Sequence, residues 1–324
     1  MADYIGIHGG KVQNFSTNPP APIEGQVWYN ETTGTIKYFT SNPAGAWASG
    51  GNLNTARDQT TGAGTQTTGL CFGGGPPVDD ETESYNGSTW TEVNDLNTAR
   101  RALTGAGADN TAALAFGGTT GSNTGVTETW NGTNWTETAD LNSARNFAGS
   151  GAGTNTAALM AGGATADDGG PPILANAETW NGTSWTEVGD LNTARITIAG
   201  GGIVTSAIFA GGDTGSTVGI AESWNGSAWS EVADLTTTRR RAAGAGTSNT
   251  AALIFAGSTG SNSALTELWD GTSWTEVADM SSARQLLGAA GASITAALAF
   301  GGGDSVATEE WTSPTTSTKT VDTD

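Results

Sequence analysis

One hexapeptide, Asp190-Leu-Asn-Thr-Ala-Arg195, recurs in varied form along the 324 residues. Its arginines are Arg57, Arg100, Arg145, Arg195, Arg239 and Arg284, spaced 43, 45, 50, 44 and 45 residues apart. Before five of them lies an aromatic pair in the frame Glu-x-Trp-Asn-Gly-x-x-Trp-Thr-Glu or a close variant. The pairs are Tyr85/Trp90, Trp130/Trp135, Trp180/Trp185, Trp224/Trp229 and Trp269/Trp274. Earlier in each period a small apolar run ends at Gly-Gly or a near match, as in Ala113 to Gly118 and Ala207 to Gly212. A chain that repeats at this interval must build from copies of one supersecondary unit.

Each period reads as four short strands. A small-residue strand (Ala102 to Gly107) meets a tight turn at Asp109-Asn110-Thr111, and an apolar strand (Ala112 to Gly118) follows. After a variable loop come a strand through Glu128-Thr129-Trp130, an Asn131-Gly132 hairpin turn and a last strand from Trp135 to Ala139. Four strands in about 45 residues, repeated, predict an all-β propeller. That reading gives the 49 Gly and 53 Thr a cause. The first strands converge on an axis where only small residues fit, and Trp and Phe fill the wider space between blade faces. Trp90, Trp135, Trp185, Trp229 and Trp274 are therefore expected as packing, not as exposed platforms. Tyr38 and Trp47 read as a degenerate outer hairpin. After Arg284 only three strands remain before Pro314, so the Trp47 strand is expected to complete that last blade. The count is six blades of four antiparallel strands, joined through the N- and C-terminal strands, which leaves no open edge at the seam.

The frame resembles kelch repeats over residues 36–313: Gly-Gly after the second strand, an aromatic in the third, Trp in the fourth, then Arg. The leader has its own resemblance. Pro22-Ile-Glu-Gly-Gln-Val-Trp-Tyr-Asn-Glu-Thr-Thr-Gly-Thr-Ile-Lys-Tyr-Phe39, followed by Ala46-Trp47, is similar to a hairpin of tailed-phage structural proteins. The whole chain resembles the kelch-like virion proteins of marine tailed phages. The division expected is a leader and β-hairpin over 1–35 for virion anchoring, a propeller over 36–313, and a tail over 314–324. What the resemblance implies is a non-enzymatic structural or display protein of the particle, in the tail, baseplate, neck or capsid. Its partners would be other virion proteins, reached through the leader, and it could form homo-oligomers. The alternative is a receptor-binding module for host-surface glycan or protein, working through the variable loops 73–82 and 162–177. A carbohydrate-active enzyme or a cytosolic adaptor stands further off.

Charge and rare residues narrow the chemistry. The net charge is −20, with 12 Lys and Arg against 32 Asp and Glu, which opposes binding to nucleic acid. Cys71 and His8 stand alone, so zinc sites and the copper chemistry of some kelch oxidases are not expected, nor is any cofactor, metal or catalytic residue. No apolar run approaches a membrane span, and Met1 to Gln13 lacks a secretory pattern, so synthesis in the host cytoplasm is expected. Half of the acids belong to the repeat. The framework arginines are expected to bridge blades through carboxylates or loop carbonyls, as Asp140 with Arg145. The candidate interaction residues are Asp79, Asp80, Glu81, Asp167 and Asp168, in the two longest loops between second and third strands. Arg239-Arg240-Arg241, the only basic run, is expected as an exposed strand start.

Overall fold

The computed structural model describes residues 12–321 except 24, 43, 76, 149, 167 and 168, and among them no helix occurs. His8 lies outside the described residues. The chain divides into two compact units, one spanning Trp47–Thr312 and one made of the segments before and after it. The strands form seven four-stranded sheets, where the repeat count predicts six.

The additional sheet belongs to the smaller unit. Gln13–Phe15, Val27–Asn30, Thr35–Asn42 and Thr315–Thr320 lie side by side in that order. The leader hairpin is present, with Val27 opposite Tyr38 and Asn30 opposite Thr35. A two-stranded hairpin alone is marginal in water. This one gains Gln13–Phe15 in parallel on one side and Thr315–Thr320 antiparallel on the other. The residues expected as a tail therefore contribute a strand, and the boundary expected at residue 35/36 falls inside Thr35–Asn42. Tyr38 and Trp47 do not form one outer hairpin. Tyr38 stays in the leader sheet, whereas Trp47 lies in Ala46–Ser49, a strand of another sheet. Trp28 is fully buried in the smaller unit.

The other six sheets repeat one four-stranded plan, and the first five are antiparallel and in sequence order. The first runs Thr61–Gly64, Gly69–Gly74, Asp79–Tyr85 and Trp90–Val93. The second runs Thr104–Asp109, Ala112–Phe116, Thr127–Trp130 and Trp135–Glu137. The third to fifth follow the same plan and end at Val188, Val232 and Glu276. The sixth combines Gly288–Ala290, Ala296–Phe300 and Thr308–Thr312 with Ala46–Ser49 from the far end of the chain. Each outer hairpin turns at Asn-Gly or Asp-Gly. Asn131 Oδ1, for example, accepts the backbone N–H groups of Thr133 and Asn134, which holds the turn locally.

Two backbone circuits link these six sheets. In the first, a glycine at the end of or just after each second strand donates to the carbonyl of the next framework arginine: Gly74 to Arg100, Gly118 to Arg145, Gly163 to Arg195, Gly212 to Arg239, Gly257 to Arg284 and Gly302 to Arg57. Gly118 does so at φ +98°, a conformation open to glycine at no steric cost. The second circuit runs through the residue two past each arginine and is described below. Between first strands the backbones approach so closely that a Cβ on Gly244 would sit 2.5 Å from the Gly200 carbonyl oxygen. That approach is why the first strands are poor in anything larger than alanine.

Aromatic rings fill the space between sheets. Phe116 meets Trp185 with centroids 4.8 Å apart, and Trp180 meets Trp185 at 5.5 Å, both in tilted arrangements. All five fourth-strand tryptophans named above are buried. Their indole N–H groups reach the preceding sheet: Trp135 donates to Thr82 Oγ1, Trp185 to Thr127 Oγ1 and Trp90 to Thr308 Oγ1. Where that threonine is replaced by Ala177 or Ala221, the indoles of Trp229 and Trp274 turn to the carbonyls of Gly189 and Ala233 instead. The third-strand tryptophans direct their N–H groups within their own sheets, as Trp130 donates to the Asn110 carbonyl.

Candidate functional site

The six framework arginines are buried, and each pairs with a glutamate of its own sheet's third strand. The pairs are Arg57–Glu83, Arg100–Glu128, Arg145–Glu178, Arg195–Glu222, Arg239–Glu267 and Arg284–Glu309. Arg195 shows the whole device. Its Nη2 lies 2.8 Å from Glu222 Oε1, and its Nη1 donates to the carbonyls of Gly211 and Ile220. The other Glu222 oxygen accepts from the backbone and side-chain amides of Asn192. One carboxylate thus ties the incoming connector and the third strand together. Burial pulls Arg100, Arg195, Arg239 and Arg284 below the ordinary guanidinium value, and the paired glutamate charge opposes that pull.

The expected Asp140–Arg145 pairing is not what forms. Asp140 Oδ1 accepts the backbone N–H of Thr127, at the start of its own sheet's third strand, and Arg145 takes Glu178. The aspartate serves a strand end because its short side chain reaches only the neighbouring backbone. Asp95, Asp234 and Asp279 do the same for Thr82, Ala221 and Thr266.

Of the candidate interaction residues, Asp79, Asp80 and Glu81 lie in the third strand of the first sheet, not in a loop. Asp79 Oδ1 accepts the Glu81 N–H, and the Glu81 carboxylate stands 3.6 Å from Arg57. Strand pairing reaches this segment, with Gly74 opposite Asp79. Asp167 and Asp168 lie outside the described residues. Among the described residues no cluster of three or more His, Cys, Asp or Glu could hold a metal ion. Burial pushes the Cys71 thiol up to about 11, so at neutral pH it is a thiol and a weak nucleophile.

A second feature has no counterpart in the sequence pattern. Gln59, Ala102, Phe147, Thr197, Arg241 and Leu286 follow the framework arginines by two positions. None is glycine, yet all six adopt left-handed backbone, with φ between +48° and +58°. Their backbones bond in a closed circle. Ala102 N donates to the Gln59 carbonyl, Phe147 to Ala102, Thr197 to Phe147, Arg241 to Thr197, Leu286 to Arg241 and Gln59 to Leu286. Left-handed backbone costs a non-glycine residue about 1–2 kcal/mol, and the circle is what holds it. Strain of this kind concentrates where a site is pre-organised.

The rosette rims a cavity of about 120 Å³ at the convergence of the six first strands. A larger cavity of about 290 Å³ opens beside it, sharing Phe147, Thr197 and Arg241 and adding Ile173, Ile196, Asp213 and Arg240. The Arg239–Arg241 run is therefore not an exposed strand start. Arg239 is buried on Glu267, Arg240 pairs with Asp213, and Arg241 stands on the rosette. Burial, and then the charge of Arg240, hold Arg241 below the ordinary guanidinium value, with Asp213 and Asp58 pulling the other way. Asp58 is raised by burial and by Asp304, against the pull of the Gln59 amide, Arg101 and Arg241.

Compared with protein-family models and with curated proteins, the chain matches none.

Proposed function

We propose that the chain is a non-enzymatic display protein of a tailed-phage virion, with the 47–312 unit as a six-bladed, kelch-like propeller head and the leader sheet as its mount. The observation that carries this reading is the division of labour along the chain. Six repeat sheets share two closed backbone circuits, and a seventh sheet gathers residues 13–42 with 315–320 outside that repeat. Sixfold closure makes a head whose sheets cannot peel away singly, which suits exposure on a particle. The leader's resemblance to phage hairpins supplies the location. The test is mass spectrometry of virions purified from the phage that encodes the chain. The peptides should appear at a fixed ratio to the major capsid protein, and their absence would overturn the reading.

A second reading, recognition of host-surface glycan or protein, is favoured by the rosette and its side cavity, where side chains vary over one backbone. Particles carrying exchanged rosette residues would then adsorb to host cells at a changed rate. Unchanged adsorption would count against it.

A further inference from the structure

We propose that the rosette and its side cavity bind a carboxylate-bearing sugar ring, with Arg241 taking the carboxylate and Phe147 lying against the ring. This rests on the second reading above, recognition at the rosette and its side cavity, and names the ligand class, but it does not depend on the display role.

The 47–312 unit holds nine arginines and no lysine. Six are buried on framework glutamates. The remaining three, Arg101, Arg240 and Arg241, all stand one or two residues past a framework arginine, beside or on the rosette. In a chain of net charge −20, every cation of this unit not used by the framework is gathered at one end of the repeat. Arg240 is taken by Asp213. Arg241 is left with a single 3.4 Å hydrogen bond to Gln285 Oε1 and, among the described residues, no carboxylate within 4.0 Å. A half-buried guanidinium with no carboxylate paired to it can take an anion, and its planar fork suits a planar carboxylate.

A second observation points the same way. Thr197, only 9% exposed, has a side-chain oxygen without a hydrogen-bond partner, and the residue lines both cavities. A buried hydroxyl left unsatisfied in a native fold calls for a partner. A sugar hydroxyl supplies one. Besides the charged residues, the cavity is lined by apolar side chains: Phe147, Ile173 and Ile196. Such side chains accept the C–H face of a ring and offer nothing to a compact polar anion such as phosphate. The volume, about 290 Å³, stands at the lower end of ligand sites and suits one ring. A neutral sugar would fill the space and leave Arg241 unpaired.

The test is titration of the full chain, by calorimetry or ligand-observed NMR, with methyl glucuronoside, methyl glucoside and inorganic phosphate as probes. The glucuronoside should bind saturably and more tightly than the glucoside by about tenfold or more, the scale of a charged hydrogen bond. Arg241→Asn, whose new residue tolerates left-handed backbone, should lose that preference at an unchanged melting temperature. Thr197→Val keeps the shape and should weaken binding of both sugars. Arg101→Gln, outside both cavities, should leave affinity within about twofold. Equal binding of the two sugars, tighter binding of phosphate, no saturable binding by any probe, or an Arg241→Asn protein that still prefers the glucuronoside would each overturn the proposal.

Discussion

The arginine–glutamate framework and the rosette sit a few residues apart in every repeat, and they solve the same sixfold problem in opposite ways. The framework repeats its side chains: Arg and Glu in all six sheets, buried and paired alike. The rosette repeats only its backbone, and its six side chains are all different. Where side chains carry the structure, sequence is held. Where a circle of main-chain hydrogen bonds carries it, sequence is free to vary. The freed positions surround the cavity, so the part of the molecule best able to change its chemistry is also rigidly placed.

The largest expected effects fall on the framework. Glu222→Ala would leave Arg195 buried without its counter-charge and strip Asn192 of its acceptor. We expect a loss of about 3–5 kcal/mol in denaturant unfolding. Replacing both Arg195 and Glu222 by methionine should restore more than half of that loss, because the cost lies mainly in the orphaned charge. If the double variant is as unstable as the single one, the pair stabilises the fold by its own attraction, and the contrast with the rosette grows sharper.

Trp185→Ala should come next, at about 3–5 kcal/mol, the range for a large aromatic lost from a packed interior. The indole is 6% exposed and packs on Phe116 and Trp180. A loss under about 1 kcal/mol would mean that the ring does not hold adjacent sheets together. Removing only its hydrogen-bond partner is a different matter. Thr127→Ala orphans the Trp185 N–H unless the ring turns, and an orphaned buried donor costs about 1–3 kcal/mol. Two sheets already carry alanine at this position, and their indoles bond backbone carbonyls at 2.9 Å. The corresponding carbonyl for Trp185 is that of Ala139. The expected loss is therefore below about 1 kcal/mol, and a crystal structure of the variant should show the Trp185–Ala139 bond.

This gradient follows what the sequence exposes. The strands, the Asn-Gly turns and the tryptophan packing are legible because each rests on one residue type in one place. The glutamate partners were visible as a repeated acid, but the pairing was not. Asp140 lies five residues from Arg145 in the chain, whereas Glu178 lies 33 away and meets it only once the sheet has formed. The separation of arginine and glutamate, between 25 and 33 residues in every repeat, is the signal that could have found it. The leader strand at 315–320 was hidden because Pro314 and a Thr/Ser-rich stretch read as a chain end, and its pairing depends on a hairpin nearly three hundred residues earlier. The rosette was invisible for a deeper reason. Gln, Ala, Phe, Thr, Arg and Leu share no chemistry, and left-handed backbone usually announces itself through glycine or asparagine.

The smallest effect is the one that reads the rosette most directly. Ala102 and Ala106 are both buried alanines of the second repeat, 6% and 4% exposed. Ala106 lies in a regular strand, whereas Ala102 holds φ +50°. Ala106→Gly should destabilise by about 0.5–1 kcal/mol, because glycine loses more freedom on folding. Ala102→Gly meets the same entropic cost but sheds about 1–2 kcal/mol of left-handed strain. It should therefore be neutral or stabilising by up to about 1 kcal/mol. If Ala102→Gly destabilises as much as Ala106→Gly, the rosette is unstrained, and the freedom of its side chains must rest on something other than its main-chain circle.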